Sequence, residues 1–253
     1  MASATKLCDM HCHLDFMDDM EKAAARAEAL GVGCLSVTVT PQDYLRADRL
    51  VGSYENVQVG LGLHPWWIAD GRCGDEDIAL FERLAADAVY IGEVGLDFGK
   101  RHADTRDVQI AAFRRVVSAC SAGGKVISIH AVGADDEVLD MLEESSCIQN
   151  STCIFHWFSG SSDQLQRAIR AGCLFSVGPR MLNSKRGREY AKAIPEDRLL
   201  LETDAPSGPG SKLSYDEVAA MLHDALAALE QVRGGAIASA IAKTSASLLG
   251  GTV

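Results

Sequence analysis

One pattern repeats along the whole chain and limits the folds open to it: a short apolar run, a glycine or polar break, then an amphipathic, alanine-rich stretch. The apolar runs are nearly continuous rather than alternating, which is typical of parallel strands buried on both faces. The sequence predicts eight such strands, near residues 6–12, 33–39, 57–62, 89–95, 125–130, 152–157, 173–178 and 198–203. Helices are predicted between them, for example over residues 18–30, 104–122, 215–232 and 235–249, with Ser161 and Ser214 as candidate caps.

The length of the chain matches the number of these units. Eight strand–helix units in 253 residues average about 32 residues each, which is the size of one βα unit. No proline-rich or serine-rich linker interrupts them. We therefore predict an α/β fold, a single (β/α)8 TIM barrel, formed by one domain that spans residues 1–253. An open, doubly wound sheet is the alternative, but the phosphate-binding motif G-x-G-x-x-G is absent after the first strand.

Charge and cysteine content exclude several classes of protein. With 24 basic and 35 acidic residues the formal net charge is −11, so a broad basic surface is excluded and a polyanion would have to be held locally. Eight cysteines are scattered without a C-x-x-C motif, which predicts buried, reduced thiols and a cytoplasmic protein. No apolar run reaches the roughly 18 residues of a membrane helix, and no secretion signal is visible, so we expect no membrane partner.

Histidine and acidic side chains cluster where the predicted strands end. They are His11 and His13 on the first strand, His64 after the third, Glu93 on the fourth, His130 on the fifth, His156 on the sixth and Asp204 at the end of the eighth. In a barrel, the C-terminal ends of the strands meet at one mouth, where active sites are built. The sequence therefore predicts that these side chains form one site. The alternative is a set of buried or capping polar residues that bind no metal.

The residue types in this set indicate metal-dependent chemistry. His11 and His13 are two apart on a strand, so both side chains project to the same side and can hold one ion together. Imidazoles with carboxylates suit Zn, Mn, Fe or Co. Without His64, which is not needed as a ligand, the four imidazoles and two carboxylates of the set exceed what one ion with open positions needs, whereas two ions about 3.5–4 Å apart that share a carboxylate would use them all. We therefore expect two divalent metal ions, with Zn, Mn and Mg as candidates.

The motifs around these residues resemble those of one family. The matching stretches are Asp9-Met10-His11-Cys12-His13-Leu14-Asp15, Gly62-Leu63-His64-Pro65, Gly92-Glu93-Val94-Gly95-Leu96-Asp97, His130, His156-Trp157-Phe158-Ser159-Gly160 and Glu202-Thr203-Asp204-Ala205-Pro206. In this order they resemble the TatD family of metal-dependent deoxyribonucleases, within the amidohydrolase-like barrels. The resemblance implies that His11, His13 and Asp204 hold one ion. It also implies that His130 and His156 hold a second ion and that Glu93 bridges the two.

The sequence departs from the pattern of most of the family in three places. After His130, residues 131–134 read Ala-Val-Gly-Ala where the family usually has a Cys-Arg-Asp-Ala-like run. A short segment at 207–212 stands where the family usually has an Arg-Asn-Glu-Pro loop, and Thr244 or Ser245 replaces an Asn near the C-terminus. Residues 128–130, 156–161 and 172–179, with the shortened end, are similar to the TatD-type nucleases of the four-component Qat anti-phage systems. That likeness implies a role in antiviral defence beside partner proteins.

The family resemblance implies hydrolysis of DNA phosphodiester bonds, and the candidate residues suggest how this would proceed. Divalent ions lower the pKa of a water molecule towards neutrality. Asp204 would orient that water and accept its proton, and Glu93 would hold the ions. His64 would contact a phosphate or protonate the leaving oxygen, although it could simply fix the turn that follows it. Asp15 and Asp97 would hold imidazoles in the required tautomer, or else cap turns.

Two further features suggest where DNA would bind at the barrel mouth. A basic loop after the seventh strand would hold phosphate, or else it is a solvated helix start; its residues are Arg180, Lys185, Arg186 and Arg188. Aromatic residues after strand ends would stack unpaired bases, which favours single-stranded DNA, or else pack at the rim; they are Trp66, Trp67, Trp157 and Phe158. His102 and His223 suggest no role.

Two other functions remain open. The first is a metal-dependent ester or amide hydrolase of the same barrel class, such as a lactonase, amidase or phosphotriesterase. Such relatives often bridge their ions with a carboxylated lysine, whereas the fourth strand here offers Glu93. The second is a metal-bound subunit that is active only with partner proteins, which the altered loops after His130 and Asp204 would suit. A purely structural zinc site is disfavoured, because such sites are closed by four ligands.

Overall fold

The structure is a computed structural model that describes residues 7–250. Its strands are β1 (Cys8–Cys12), β2 (Gly33–Val37), β3 (Val57–Leu63), β4 (Tyr90–Asp97), β5 (Val126–Val132), β6 (Thr152–His156), β7 (Leu174–Val177) and β8 (Leu199–Leu201). They form one eight-stranded sheet in chain order from β1 to β8, and pairs such as β4–β5 and β7–β8 run parallel. This is the topology of a (β/α)8 barrel, so the predicted fold class is confirmed.

Helices follow the strands as the sequence predicts. In the described part of the chain they are α1 (Met20–Leu30), α2 (Pro41–Val51), α3 (Pro65–Ala69), α4 (Asp75–Ala85), α5 (Arg106–Cys120), α6 (Asp135–Glu144), α7 (Cys147–Asn150), α8 (Ser162–Ala171), α9 (Pro179–Leu182), α10 (Lys185–Ala193), α11 (Tyr215–Arg233) and α12 (Ala238–Leu248). The predicted caps Ser161 and Ser214 are confirmed, because each side chain accepts from a backbone N–H in the first turn of its helix. The short helices α3 and α9 were not predicted, and each begins with a proline, whose missing N–H is no loss at that position.

The described residues form two compact units. The first comprises residues 7–36, 47–59 and 175–250. Within it β1 and β8 lie side by side: the backbone N–H of Asp204 donates to the carbonyl of His11, and that of His13 donates to the carbonyl of Ala205, both at 2.9 Å. These bonds fix the residues that follow β8 against the end of β1. The single domain expected for residues 1–253 stays a prediction, and residue 6, where the first strand was expected to begin, lies outside the described residues.

The second unit comprises Val37–Arg46 and Gly60–Leu174. Its strands β4 and β5 pair in parallel, with Ile91 opposite Ile127 and Gly95 opposite His130. Gly95 has a φ of +147°, and a Cβ built on it would lie 1.9 Å from the carbonyl oxygen of His130. Only glycine fits this position, so Gly95 determines how closely the backbone of His130 approaches β4.

Gly95→Ala is expected to lower the free energy of unfolding by about 1–3 kcal/mol or more, because the added methyl group both strains the backbone and collides with β5. Denaturant unfolding followed by circular dichroism measures the change. Gly208→Ala is the matched control, since nothing lies within 4 Å of a Cβ at that position. Equal stability of the two variants would contradict the close approach of β4 and β5.

The cysteines are part of the packed interior. All eight lie within the described residues and are buried, as the sequence predicts. Burial raises the pKa of the Cys73 and Cys120 thiols to about 12, so both stay protonated at neutral pH. Among residues 7–250, no helix combines the length and the apolar character that crossing a membrane requires.

Candidate metal centre

In the second unit, three histidine rings surround one carboxylate oxygen. Glu93 lies on β4, and its Oε1 is 3.1 Å from His64 Nε2, 2.8 Å from His130 Nδ1 and 3.0 Å from His156 Nε2. All four side chains are buried. Glu93 lies in the middle of β4 and His130 within β5, while His156 ends β6 and His64 is the residue after β3. Parallel strands therefore bring these four predicted site residues together.

Asp97 holds the far side of the His130 ring. His130 Nε2 lies 3.0 Å from Asp97 Oδ2, while Nδ1 faces Glu93. When Nε2–H donates to Asp97, the lone pair of Nδ1 is directed towards the Glu93 side, which is the tautomer that a metal ligand needs. Asp97 also accepts from the backbone N–H of Gly99 at Oδ1 (2.7 Å) and from Trp66 Nε1–H at Oδ2 (2.6 Å). The structure thus shows Asp97 in contact with an imidazole, as the sequence suggested.

These contacts also determine the charge of the pair. Burial acts to raise the pKa of Asp97, but the hydrogen bonds from His130 and Trp66 outweigh it and lower the pKa to about 2. Burial acts to lower the pKa of His130, yet its hydrogen bonds with Asp97 and Glu93 raise it. Asp97 is therefore a carboxylate at neutral pH and can accept hydrogen bonds from His130 and Trp66 at once.

Gln109 on α5 fixes the backbone of Asp97. Its Oε1 accepts from the N–H of Asp97 (2.8 Å), and its Nε2 donates to the carbonyl of Asp97 (2.8 Å) and to Thr105 Oγ1 (3.0 Å). Both backbone polar groups of Asp97 are thereby satisfied at the end of β4. A buried glutamine twelve residues after its partner carries no motif or periodicity, so sequence reasoning missed it.

His64 combines two interactions that the sequence presented as alternatives. Its Nδ1 accepts from the backbone N–H of Trp66 (3.1 Å), which caps α3 and fixes the turn. Because Nδ1 is an acceptor, the neutral ring carries its proton on Nε2, and Nε2–H donates to Glu93 Oε1. The structure therefore shows the turn-fixing contact and also directs an N–H donor of His64 towards Glu93.

In the first unit, His11, His13 and Asp204 lie together. Asp204 Oδ1 is 3.8 Å from His11 Nε2 and 3.6 Å from His13 Nε2, and the two rings meet edge to face with centroids 5.3 Å apart. Both histidines are buried, whereas the Asp204 side chain is 14% exposed. These separations exceed hydrogen-bond lengths, so two imidazole nitrogens and one carboxylate oxygen face one another without binding directly.

Asp204 is held from two directions. Its backbone N–H donates to His11, and its φ of +51° lies in the left-handed region, which aspartate tolerates better than most residues. Its Oδ2 accepts from Arg180 Nη1 at 2.6 Å, and Arg180 lies in the helical turn α9 after β7. The two carboxylate oxygens therefore have different partners: Oδ1 faces the imidazoles and Oδ2 faces the guanidinium. The sequence placed Arg180 among phosphate-binding residues and did not indicate this ion pair.

Two further acids support the histidine pair. Asp9 Oδ1 accepts from the backbone N–H groups of Thr203 (3.0 Å) and His11 (3.3 Å), which ties β1 to the residues after β8. Burial raises the pKa of Asp9 to about 7, although the hydrogen bonds from Thr203 oppose the shift. Asp15 Oδ1 lies 3.7 Å from His13 Nδ1, on the side of the ring away from Asp204.

The donor types of both groups fit divalent metal ions. The groups are His11, His13 and Asp204 in the first unit, and Glu93, His130 and His156, with His64 beside them, in the second. In the second unit the donor atoms of His64, Glu93 and His130 lie within 4.8 Å of one another. Imidazole nitrogens with carboxylate oxygens are the ligands of Zn, Mn, Fe and Co sites. The metal and catalytic roles of these residues, including the bridging role of Glu93, stay predictions.

Among the aromatic residues near the strand ends, Phe158 follows the packing alternative rather than base stacking. Phe158 is 3% exposed and packs edge to face on Phe155, so it cannot stack a base. Trp66 and Trp157 are each 38% exposed. The ring of Trp66 stacks on His102 with centroids 5.8 Å apart, so His102, to which the sequence gave no role, supports an exposed aromatic ring beside the second-unit group.

The basic residues after β7 also need correction. Lys185, Arg186 and Arg188 lie on α10 rather than in a loop, and Ser184 caps that helix by accepting from the N–H of Gly187. Lys185 and Arg186 are exposed, while Arg188 donates to the carbonyl of Leu182 (2.8 Å). The interpretation as a helix start is therefore right, and two of the three side chains remain exposed to solvent.

Comparison with known proteins shows what the chain is similar to. Residues 8–250 match the model of a family described as TatD related DNase. The chain is 31% identical over 210 residues to the uncharacterized metal-dependent hydrolase YabD of Bacillus subtilis, across 79% of this chain and 80% of that protein. It is 31% identical over 198 residues to the 3'-5' ssDNA/RNA exonuclease TatD of Klebsiella pneumoniae, across 76% of this chain and 73% of that protein. A crystal structure of YJJV, a TatD homologue from Escherichia coli K12, has the same fold, with a TM-score of 0.72 at 24% identity, and covers 96% of this chain and 97% of that one.

Proposed function

Because the chain belongs to the TatD related DNase family and is a metal-dependent hydrolase, we propose that it cleaves phosphodiester bonds of DNA, with a preference for single strands. The observation that carries the proposal is the convergence of three imidazole nitrogens on Glu93 Oε1 at the ends of buried strands. Buried imidazoles and carboxylates at the C-terminal strand ends of this fold are the ligands that hydrolytic metal sites use.

We propose two divalent ions as cofactors. One would be held by His11, His13 and Asp204, and the other by Glu93, His130 and His156. When bound, such ions stabilise negative charge on a phosphoryl oxygen and lower the pKa of a water molecule. Zn and Mn suit these imidazole-rich groups better than Mg, which prefers oxygen ligands and keeps several waters.

Asp204 and His64 are the proposed proton carriers. Asp204 is partly exposed and its Oδ1 faces two imidazoles, so it can accept a proton from a water molecule held beside them. Arg180 on Oδ2 fixes the orientation of the carboxylate. His64 carries its proton on Nε2, so it would donate to a phosphate oxygen or to the leaving oxygen in place of Glu93.

Exposed aromatic rings support a single-stranded substrate. The relative from Klebsiella pneumoniae is named as an exonuclease of single-stranded DNA and RNA. Trp66 and Trp157 follow β3 and β6 and expose 38% of their surface. An unpaired base stacked on an aromatic ring contributes about 1–3 kcal/mol, and a duplex hides the base faces. With a net charge of −11, binding of a polyanion relies on such local contacts.

Replacing Lys185, Arg186 and Arg188 together by alanine is expected to weaken the salt dependence of DNA binding. The slope of log K against log salt is negative, and each phosphate contact that is lost reduces its magnitude by about 0.7 for a single strand. Fluorescence anisotropy of a labelled single-stranded oligonucleotide at several salt concentrations gives the slope. Lys192→Ala, on the same helix and paired with Glu189, serves as the control. An unchanged slope in the triple variant would exclude α10 from contact with DNA.

Cleavage of an end-labelled oligonucleotide in the presence of Mn²⁺ tests the proposed function. We expect a single strand to be cut faster than the same sequence in a duplex, and cutting to stop when a chelator removes the metal. The ladder of products separates exonuclease from endonuclease activity. An RNA of the same sequence tests whether the protein discriminates between deoxyribose and ribose. A metal-loaded protein that leaves all of these intact would contradict the proposal. Turnover of small esters or amides would then identify the alternative hydrolase.

A partner-dependent enzyme of anti-phage defence is the second candidate. Residues 131–134 and 207–212, which follow the proposed ligands His130 and Asp204, depart from the usual family pattern. Together with the likeness to the TatD-type nucleases of Qat systems, this suggests that other proteins complete the site. The test compares turnover of the isolated protein with turnover after the other components of such a system are added. A rate that they do not change would exclude this function.

A further inference from the structure

Trp66 is linked to a proposed metal ligand through a single carboxylate oxygen. Its Nε1–H donates to Asp97 Oδ2 at 2.6 Å, and the same oxygen lies 3.0 Å from His130 Nε2. The other oxygen of Asp97 accepts from the backbone N–H of Gly99 at 2.7 Å. Three donors therefore fix the rotation of this carboxylate, and Trp66 is the one among them that a side-chain substitution can remove without touching the backbone or His130.

The indole ring is itself held in one orientation. It stacks on His102 with centroids 5.8 Å apart and an interplanar angle of 24°. It also meets His64 and His130 edge to face, with centroids 5.0 Å and 5.8 Å away. Because Trp66 lies in the first turn of α3, whose cap is His64, the helix that carries the donor begins at a residue of the same group. The direction of the indole N–H is thus determined by packing on several sides.

We propose that Trp66 is a positioning residue for metal binding by the second unit, acting through Asp97 on His130. The inference rests on the proposed role of His130 as a metal ligand. A neutral imidazole has one N–H; when Nε2 donates it to a fixed carboxylate, the Nδ1 lone pair is available to a metal ion on the Glu93 side of the ring. Without the indole N–H, Asp97 Oδ2 loses one of its two donors, and the carboxylate can turn away from Nε2. The histidine ring then samples more orientations before it binds metal.

Trp66→Phe tests this role, because it keeps an aromatic ring and removes the N–H donor, while the accompanying loss of ring volume is shared by the Trp67→Phe control. Titration calorimetry with Zn²⁺ alone measures the affinity, and His130→Ala identifies which binding step belongs to the second unit. We expect Trp66→Phe to weaken that step about tenfold, the lower end of the effect seen when a partner of a metal ligand is removed. Trp67→Phe is the matched control for metal affinity, since the Trp67 ring lies next to His64 and Arg72. Equal affinities in the two variants would overturn the proposal.

A double-variant cycle shows whether the effect passes through Asp97. In an Asp97→Ala background, Trp66→Phe should cause no further loss of Zn²⁺ affinity, because the intermediate carboxylate is absent. Additive losses would mean that Trp66 acts by another route and would overturn the proposal. If Asp97→Ala does not fold, the absorption spectrum of the Co²⁺-loaded Trp66→Phe protein replaces the cycle. A spectrum unchanged from the unsubstituted protein would show unaltered coordination and overturn the proposal, whereas a changed spectrum supports it.

These measurements use no nucleic acid. A protein that binds Zn²⁺ with the expected loss in Trp66→Phe but cuts no DNA would contradict the proposed nuclease function and leave the role of Trp66 intact. A protein that cuts DNA but binds Zn²⁺ equally well with and without the indole N–H would contradict the proposed role of Trp66 and leave the nuclease function intact.

Discussion

Glu93→Gln is expected to lower kcat/KM for DNA cleavage by about three orders of magnitude. Glu93 Oε1 lies within about 3 Å of three imidazole nitrogens, so this oxygen is the centre of the second-unit group. The amide has nearly the same shape but no negative charge, so it holds a divalent ion weakly. Loss of several kcal/mol of transition-state stabilisation, at about 1.4 kcal/mol per tenfold, gives the expected factor. Initial rates on a labelled single strand and the metal content by mass spectrometry measure the effect.

The control for this variant is Glu144→Gln. Glu144 is exposed at the end of α6 in the same unit, and it does not belong to the group of side chains around Glu93. We expect this control to keep the metal content and the rate of the unsubstituted protein. A Glu93→Gln protein that kept both would contradict the proposed metal site of the second unit.

Asp204→Asn is expected to lower kcat by a factor of about 10² to 10⁴, the range that a lost general base accounts for. The amide can still accept from Arg180 and can keep the shape of the site, but it cannot take up a proton. Because the substitution changes little of the surface that a strand would contact, KM should change much less than kcat. Steady-state kinetics on a single-stranded oligonucleotide separates the two parameters.

Asp224→Asn is the matched control for that experiment. Asp224 is exposed on α11, in the same unit as Asp204, and it lies outside the motif that contains Asp204. A fall in kcat shared by both variants would point to a general effect of lost charge rather than to proton transfer. An Asp204→Asn protein with undiminished kcat would remove Asp204 from the proposed mechanism.

The grouping of the site residues within each unit was predictable because the fold itself produces it. Continuous apolar runs indicate parallel strands, and parallel strands in chain order bring the residues that follow them to one edge. His130 and His156 are grouped in this way by their positions relative to their strands. The histidine pair at 11 and 13 follows from the alternation of side chains along an extended chain. Local sequence and strand order therefore suffice to predict both groupings.

Apart from the contact of Asp97 with an imidazole, the contacts that hold those residues in place were not predictable. The contact between Gln109 and Asp97 joins a helix to a strand end, and the ion pair of Arg180 with Asp204 joins residues 24 apart; neither has a motif. His64 has two interactions because its two ring nitrogens face different partners, which no spacing reveals.

The burial of Phe158 beside the exposed Trp157 follows from a backbone turn rather than from periodicity. Trp157 has a φ of +38°, which places it in the left-handed region directly after β6. At such a turn the alternation of a strand and the period of a helix both fail to indicate which side chain faces the interior. Which of two adjacent aromatic residues is exposed is therefore known from the structure alone.

The metal content of three purified proteins decides whether the chain has two metal sites. They are the unsubstituted chain, a His11→Ala/His13→Ala variant that lacks the pair of the first unit, and a His130→Ala/His156→Ala variant that lacks the pair of the second. After loading with Mn²⁺ or Zn²⁺ and removal of excess metal, we expect about two ions per chain in the first protein and about one in each variant. An unsubstituted protein that binds no metal, or either variant that still binds two ions, would contradict the presence of two metal sites built from these histidines.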